Sequence, residues 1–119
     1  MIDRYYIQNK IVVFYIIVPK GISKGEYECF IDLGDFEKIK NLPLTVCHTP
    51  RDGDNYYISF VEYLGIEKYG KMNKKHLLHR WLLKVDDDER IDHKNYNGLD
   101  NRRKNLRVTT FINNSTNNR

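Results

Sequence analysis

The sequence has little of what marks several common protein classes. It holds two cysteines, Cys29 and Cys47, which form neither a closely spaced redox pair nor a paired zinc motif. Both read as small buried side chains, and nothing in them demands an oxidising compartment. The longest apolar run, Ile11 to Val18, has eight residues, far short of the roughly 20 a membrane-spanning helix needs. Near the N-terminus Asp3, Arg4, Gln8, Asn9 and Lys10 break up any apolar stretch, so no secretory signal is expected. There is no internal repeat and no low-complexity linker. These absences exclude a disulfide scaffold, a helical membrane protein and a repeat array, and the expectation is a soluble intracellular protein.

What is present is charge, unevenly placed. The chain has 119 residues and a formal net charge of +4. A chain of that length suits one core with an appendage and cannot build two independent cores. The positive excess sits in the last quarter. From Arg90 to Arg119 there are seven Lys or Arg (Arg90, Lys94, Arg102, Arg103, Lys104, Arg107, Arg119) against two acids, Asp92 and Asp100. Such a patch suits a polyanionic partner. The acidic run Asp86 to Glu89 just before it reads as a solvated turn.

The first part of the chain is patterned for strands. Arg4 to Gln8 and Lys10 to Val18 are rich in Tyr, Ile, Val and Phe, with Asn9 as a break. Pro19, Gly21 and Gly25 mark a turn region, and Glu26 to Asp32 resumes a strand pattern. Asp35 is placed to cap a short helix carrying Phe36, Ile39 and Leu42. Leu44 to His48 is extended, residues 49–55 form a turn cluster, and Tyr56 to Val61 is a further strand. Gly65 to Asn73 is polar and reads as a loop. The spacing of Leu77, Leu78, Trp81 and Leu82 predicts a helix over Lys74 to Lys84. His79 on that helix reads as a packing residue, and Arg80 as a phosphate contact or a solvated side chain.

The final stretch follows strand, loop, strand, helix. Arg90 to His93 is the first strand, and Tyr96-Asn97-Gly98 a turn. Asn105 to Thr109 returns, and Thr109 or Thr110 caps a terminal helix with Phe111, Ile112, Asn113, Asn114 and Asn117. Asparagine is a mediocre helix former, so this many in one or two turns ask for another reason. Hydrolysis of a phosphodiester needs an activated water, relief of charge on the phosphate and help for the leaving oxygen. A divalent cation supplies the last two. Magnesium takes oxygen ligands and keeps several waters, so the Asp92 carboxylate and the Asn114 amide oxygen would suffice. Their sequence separation means that strand and helix must bring them together. His93 is a natural general base near neutral pH. Asn105 is placed to hold the loop or the imidazole. Lys94, Arg102, Arg103, Lys104 and Arg107 would meet phosphates, which position a duplex without reading its sequence.

These residues carry a family resemblance. Leu78-His79-Arg80, Asp92-His93, Leu99-Asp100-Asn101-Arg102, Asn105-Leu106-Arg107, Thr110, Asn114 and Asn117 together resemble the HNH nuclease motif. The likeness is to the subgroup found in phage and intron-associated homing endonucleases, and it runs from about Leu77 to Asn118. The resemblance implies a ββα-metal fold, and the expectation is an α+β chain in which a β-rich segment that helps grip DNA, residues 1–75, precedes a C-terminal ββα-metal motif, residues 76–119. It implies one catalytic Mg2+ or Mn2+ held by Asp92 and Asn114, with His93 as general base and Asn105 tying the hairpin loop. It also implies 5′-phosphate and 3′-hydroxyl products. Asn113 stands where some relatives carry Gln or Glu, which makes it a rival to Asn114.

The expectation is therefore a metal-dependent endonuclease acting on double-stranded DNA in the cytoplasm of a bacterial or phage-infected cell. One site per chain makes nicking the simplest outcome for a monomer, and a double-strand break would need a homodimer or two events. The alternatives are a DNA-binding protein that keeps this scaffold without cutting, and a nuclease without sequence preference.

Overall fold

Aromatic and β-branched residues crowd the first thirty positions, and they build a sheet. The computed structural model describes residues 2–49, 55–67 and 70–110. Strands β1 (Tyr5–Gln8), β2 (Ile11–Val18) and β3 (Gly25–Asp32) form an antiparallel sheet in that order. Asn9 and Lys10 join β1 to β2 with φ of 52° and 65°. Two consecutive left-handed residues are the geometry of a two-residue hairpin whose twist matches its strands. Val12, Phe14 and Ile16 on β2 and Cys29 and Ile31 on β3 are buried on one face, as the period of two along a strand requires.

The next sheet departs from the sequence reading. Strand β4 (Thr45–Thr49) pairs with β5 (Asn55–Glu67), which pairs with β6 (Gly70–Leu77). Residues 65–73 were expected to form a loop and 74–84 a helix. Instead β5 runs thirteen residues, and Lys74 to Leu77 belong to β6. Only Leu78–Leu83, helix α2, is helical. Cross-strand pairing explains the difference. His76 stacks on Phe60 with ring centroids 4.9 Å apart, and its Nε2 lies 2.9 Å from Glu62 Oε1. Those contacts favour the extended chain over a helix for residues with no strong helical face.

Helix α1 (Leu33–Ile39) starts three residues earlier than an Asp35 cap would allow, so Asp35 lies inside it and is buried. Phe36 and Ile39 from α1, Val46 from β4, Ile58 from β5, and Leu78 and Leu82 from α2 join the β2–β3 face in one core. Fully burying each such side chain contributes about 1.5–3 kcal/mol. The chain ends in a third sheet, the antiparallel pair β7 (Glu89–His93) and β8 (Leu106–Thr110).

The expected α+β class with a C-terminal ββα-metal motif is thus corrected. Among the described residues there are eight strands in three small sheets and two short helices, a mostly β architecture. The physical reason lies in composition: Tyr, Ile, Val and Phe pack on pleated surfaces, and the helical stretches reach only seven and six residues. The terminal helix expected to hold Phe111 to Asn117 lies outside the described residues, and Thr109 and Thr110, its expected caps, are the last two residues of β8. No helix among the described residues is long and apolar enough to cross a membrane.

Candidate functional site

The β7–β8 hairpin positions the residues singled out from sequence. Asp92 and His93 are the last two residues of β7, opposite Arg107 and Leu106 of β8. Between the strands runs a loop, residues 94–102, and a 3-10 turn, Arg103–Asn105. Asparagine and aspartate side chains hold that loop in place of a ladder. The Asn105 side chain accepts from the Asn95 backbone N–H at 3.0 Å and donates to Asn95 Oδ1 and the Asp100 carbonyl, both at 2.9 Å. Asn97 accepts from the Leu99 N–H at 3.0 Å. Asp100 accepts from Asn95 Nδ2 at 2.8 Å and takes a two-pronged contact from Arg102, at 2.8 and 2.6 Å. Burial alone would raise the Asp100 pKa; the Arg102 side-chain and backbone hydrogen bonds outweigh it and keep the carboxylate below its usual range.

The loop is also fixed to both other sheets. Leu99 and Asn101 flank Phe30 of β3, with Phe30 N–H donating to the Leu99 carbonyl at 3.0 Å and Asn101 N–H to the Phe30 carbonyl at 2.8 Å. Gly98 packs so closely on β5 that a Cβ there would fall 2.1 Å from the Tyr56 carbonyl oxygen and 2.7 Å from the Tyr57 ring. Arg103 reaches α1, where its guanidinium donates to both Asp35 oxygens at 2.8 and 3.0 Å, while its backbone N–H donates to Asp32 Oδ2 at 2.9 Å. The Arg103 hydrogen bonds hold the Asp35 carboxyl below the usual carboxylate range. Arg80 donates to the carbonyls of Glu89 and Asp86, each at 2.8 Å, and so clamps the turn into β7.

His93 is buried, with 7% of its surface exposed. Its Nε2 lies 3.0 Å from Asn101 Oδ1. An amide oxygen only accepts, so Nε2 carries the proton and Nδ1 keeps its lone pair. The ring packs against Tyr57 at 5.6 Å and His79 at 4.9 Å between centroids. Burial pushes the His93 pKa down, against the Asn101 hydrogen bond and the charges of Asp100 and Asp92. Burial likewise pushes His79 down to about 3, with positive charge on His93 and Arg80 acting in the same sense. Both imidazoles are therefore neutral near pH 7.

A cavity of about 710 Å³ opens over the end of β7. His93 and Asp92 both line it, although neighbours on a regular strand face opposite ways; it wraps around the strand end, where the loop departs. Arg90, Lys94 and Arg107 supply positive charge to its wall, and Asn55 and Tyr57 of β5 close the far side. The Arg107 guanidinium lies 3.1 Å from Asp92 Oδ2. Of the five cations expected to meet phosphate, Lys94 and Arg107 thus line the cavity and Lys104 is exposed on the adjoining turn. Arg102 and Arg103 are engaged by Asp100 and Asp35.

Asn113 and Asn114, the rival metal donors, lie outside the described residues. Among the described residues no three or more His, Cys, Asp or Glu side chains converge to hold a metal ion. A hard cation that keeps most of its waters needs only one or two protein oxygens, and the half-exposed Asp92 carboxylate lining the cavity would supply one of them. Cys29 takes no part: it is fully buried, and burial pushes its thiol up to about 12.

Sequence reasoning missed Asn55, Tyr57 and, as a functional partner, Asn101. Asn55 and Tyr57 are far from the hairpin in sequence, and nothing local signals them. Asn101 sat inside the matching motif and could have been found by asking which acceptor fixes the imidazole. In comparisons with protein-family models, curated proteins and solved structures, nothing matches this chain.

Proposed function

We propose that this chain is a metal-dependent endonuclease that hydrolyses phosphodiester bonds in double-stranded DNA, nicking one strand per encounter. One observation carries the reading. A buried histidine, locked in a single tautomer by Asn101, shares a cation-rimmed cavity with a half-exposed carboxylate. A base poised on Nδ1 beside an acid among positive charges suits attack of water on a phosphate.

His93 would take the proton of the attacking water on Nδ1. Asn101 would hold the ring and keep Nε2 protonated. Lys94, Lys104 and Arg107 would place the backbone by contacts to phosphate oxygens. Asp92, with Asn114 from the terminal segment, would hold Mg2+ or Mn2+, which when bound supplies charge neutralisation at the phosphate and leaving oxygen. The work would be done in the cytoplasm of a bacterial or phage-infected cell.

Supercoiled plasmid incubated with the protein and Mg2+, then with EDTA, tests this. The expected result is a nicked circle that EDTA prevents and that His93→Ala abolishes while DNA binding persists. Retardation of the plasmid with no nicked product under any divalent ion would replace the nuclease with a DNA-binding protein. Degradation to small fragments would mark a nuclease without sequence preference.

A further inference from the structure

The second sheet holds an element that the proposed chemistry does not use. Strand β4 covers only the first residues of β5, Asn55 to Ser59. Beyond them β5 pairs with β6 alone, from Phe60 to Glu67. Burial ends at the same point. Ile58, Ser59 and Phe60 are buried, whereas Val61, Tyr63 and Leu64 are 51%, 57% and 50% exposed. Glu62 next to them is exposed too, and so are Asn73, Lys74 and Lys75 on β6. Consecutive strand residues point to opposite faces, so at residues 61–64 and 73–75 both faces of this two-stranded ribbon stand in water. Gly65, at φ +120°, marks a register shift between Tyr63 and Gly65 that increases its twist.

We infer that the free β5–β6 ribbon is a DNA-binding arm that enters the major groove beside the cleavage site. This rests on the nuclease reading for the location of the duplex. The major groove, about 12 Å wide, admits a two-stranded ribbon. Lys75 stands opposite Val61 and shares its face, Lys74 stands opposite Glu62 on the other, and both lie on the edge strand, from which their long side chains would reach the phosphates of the flanking backbone. Across residues 61–75 the sequence carries four lysines against two glutamates, so the ribbon has an excess of positive charge. A lysine-bearing edge discourages pairing with a second copy of the chain, whereas it complements a polyanion. Exposed Val61 and Tyr63 share a face and suit thymine methyl groups on the groove floor. Continuity of the strand fixes the geometry. Tyr57 lines the catalytic cavity, and Tyr63 follows six residues later on the same strand, about 20 Å away at roughly 3.3 Å per residue. That span corresponds to about six base pairs at 3.4 Å each, so the arm reads DNA to one side of the nick.

The test is fluorescence anisotropy on a duplex about three helical turns long, without divalent ions, over a KCl series. Lys74→Ala with Lys75→Ala is expected to weaken binding and to lower the slope of log affinity against log salt by about two, one per lost phosphate contact. Tyr63→Ser is expected to weaken binding with the slope unchanged. Methyl green, a major-groove ligand, is expected to compete with the wild type and not with the lysine variant. Unchanged affinity and slope in both variants would overturn the arm. So would a Tyr63→Ser change that shifts sedimentation from dimer to monomer and leaves DNA affinity intact, because the ribbon would then be a self-association surface. Plasmid nicking is scored separately on the same proteins. Absent nicking with the slope loss intact removes the nuclease and keeps the arm, and the reverse pattern removes only the arm.

Discussion

Asn101 accepts the His93 Nε2 proton at 3.0 Å, and its own amide nitrogen is buried with no partner. A buried amide group left without a hydrogen bond costs about 1–3 kcal/mol. The fold therefore carries a stability penalty at the residue that fixes the orientation and tautomer of the imidazole. Asn101→Leu fills the same space without the acceptor. It exchanges one unpartnered buried group for another, the His93 Nε2–H, so it is expected to leave stability within about 1–3 kcal/mol of the wild type and to cut plasmid nicking about tenfold to a hundredfold, the range seen when a partner that orients a histidine is lost. Parallel denaturation and nicking assays check this; nicking at the wild-type rate would mean that Asn101 does not orient the base.

His79 gives the fold an acid-sensitive point. Its pKa is about 3 in the folded protein and about 6.5 in an unfolded chain. A depressed folded value means that the unfolded state binds the proton more readily. The contribution to stability is thus complete above about pH 6.5 and is lost as the pH falls from there toward 3. His93 acts in the same sense, since burial lowers it too. Urea midpoints of the wild type are expected to fall between pH 6.5 and 4.5, before the carboxylates titrate. His79→Gln is expected to flatten that decline, and an identical slope in the variant would place the acid sensitivity elsewhere.

The Arg103–Asp35 pair links the hairpin to helix α1 across 68 residues. Asp35 is buried while Arg103 is about half exposed, so screening reduces what the pair itself is worth. Removing the arginine leaves the buried carboxylate with Lys38 alone, whose Nζ lies 3.3 Å from Asp35 Oδ1. Arg103→Ala is expected to cost about 1–3 kcal/mol and to raise the Asp35 pKa toward the ordinary range or above it. Wild-type stability from this group is present above about pH 4 and fades as acid protonates Asp35; the variant lacks it at every pH. Chemical denaturation at pH 7 reads the loss. Unchanged stability with a lower salt slope for DNA binding would assign Arg103 to phosphate contact instead.

The hairpin was legible because its signals are local. Strands read as Arg90 to His93 and Asn105 to Thr109 differ from β7 and β8 by one residue at most ends, and the Asn-Gly turn and capping-type side chains announce the loop between them. The β1–β2–β3 sheet was legible for a like reason, alternation of apolar residues within each strand. The ribbon was not. Gly65, Gly70 and four lysines between residues 68 and 75 look like loop composition, and only pairing with the aromatic β5 makes that stretch a strand. Tyr57 and Asn55 in the cavity wall, and Asp35 beneath Arg103, join the hairpin through tertiary contacts spanning tens of residues. No window of neighbouring residues contains that information.

Arg107 and Asp92 face each other across the hairpin at 3.1 Å. In that position the guanidinium and a divalent cation would compete for the same carboxylate. Both side chains are well exposed, at 62% and 42%, and such a pair is worth about 0.2–1 kcal/mol. Arg107→Ala is therefore expected to tighten Mn2+ binding by up to about fivefold, because the ion no longer displaces a partner. On the proposed reading Arg107 also meets a phosphate, so with Arg107→Ala DNA affinity is expected to fall and the salt slope to drop by about one. Asp92→Asn is expected to abolish the Mn2+ site altogether. Calorimetric titration of Mn2+ into the three proteins separates the effects. Mn2+ affinity that Asp92→Asn leaves intact would show that the ion is held by other donors.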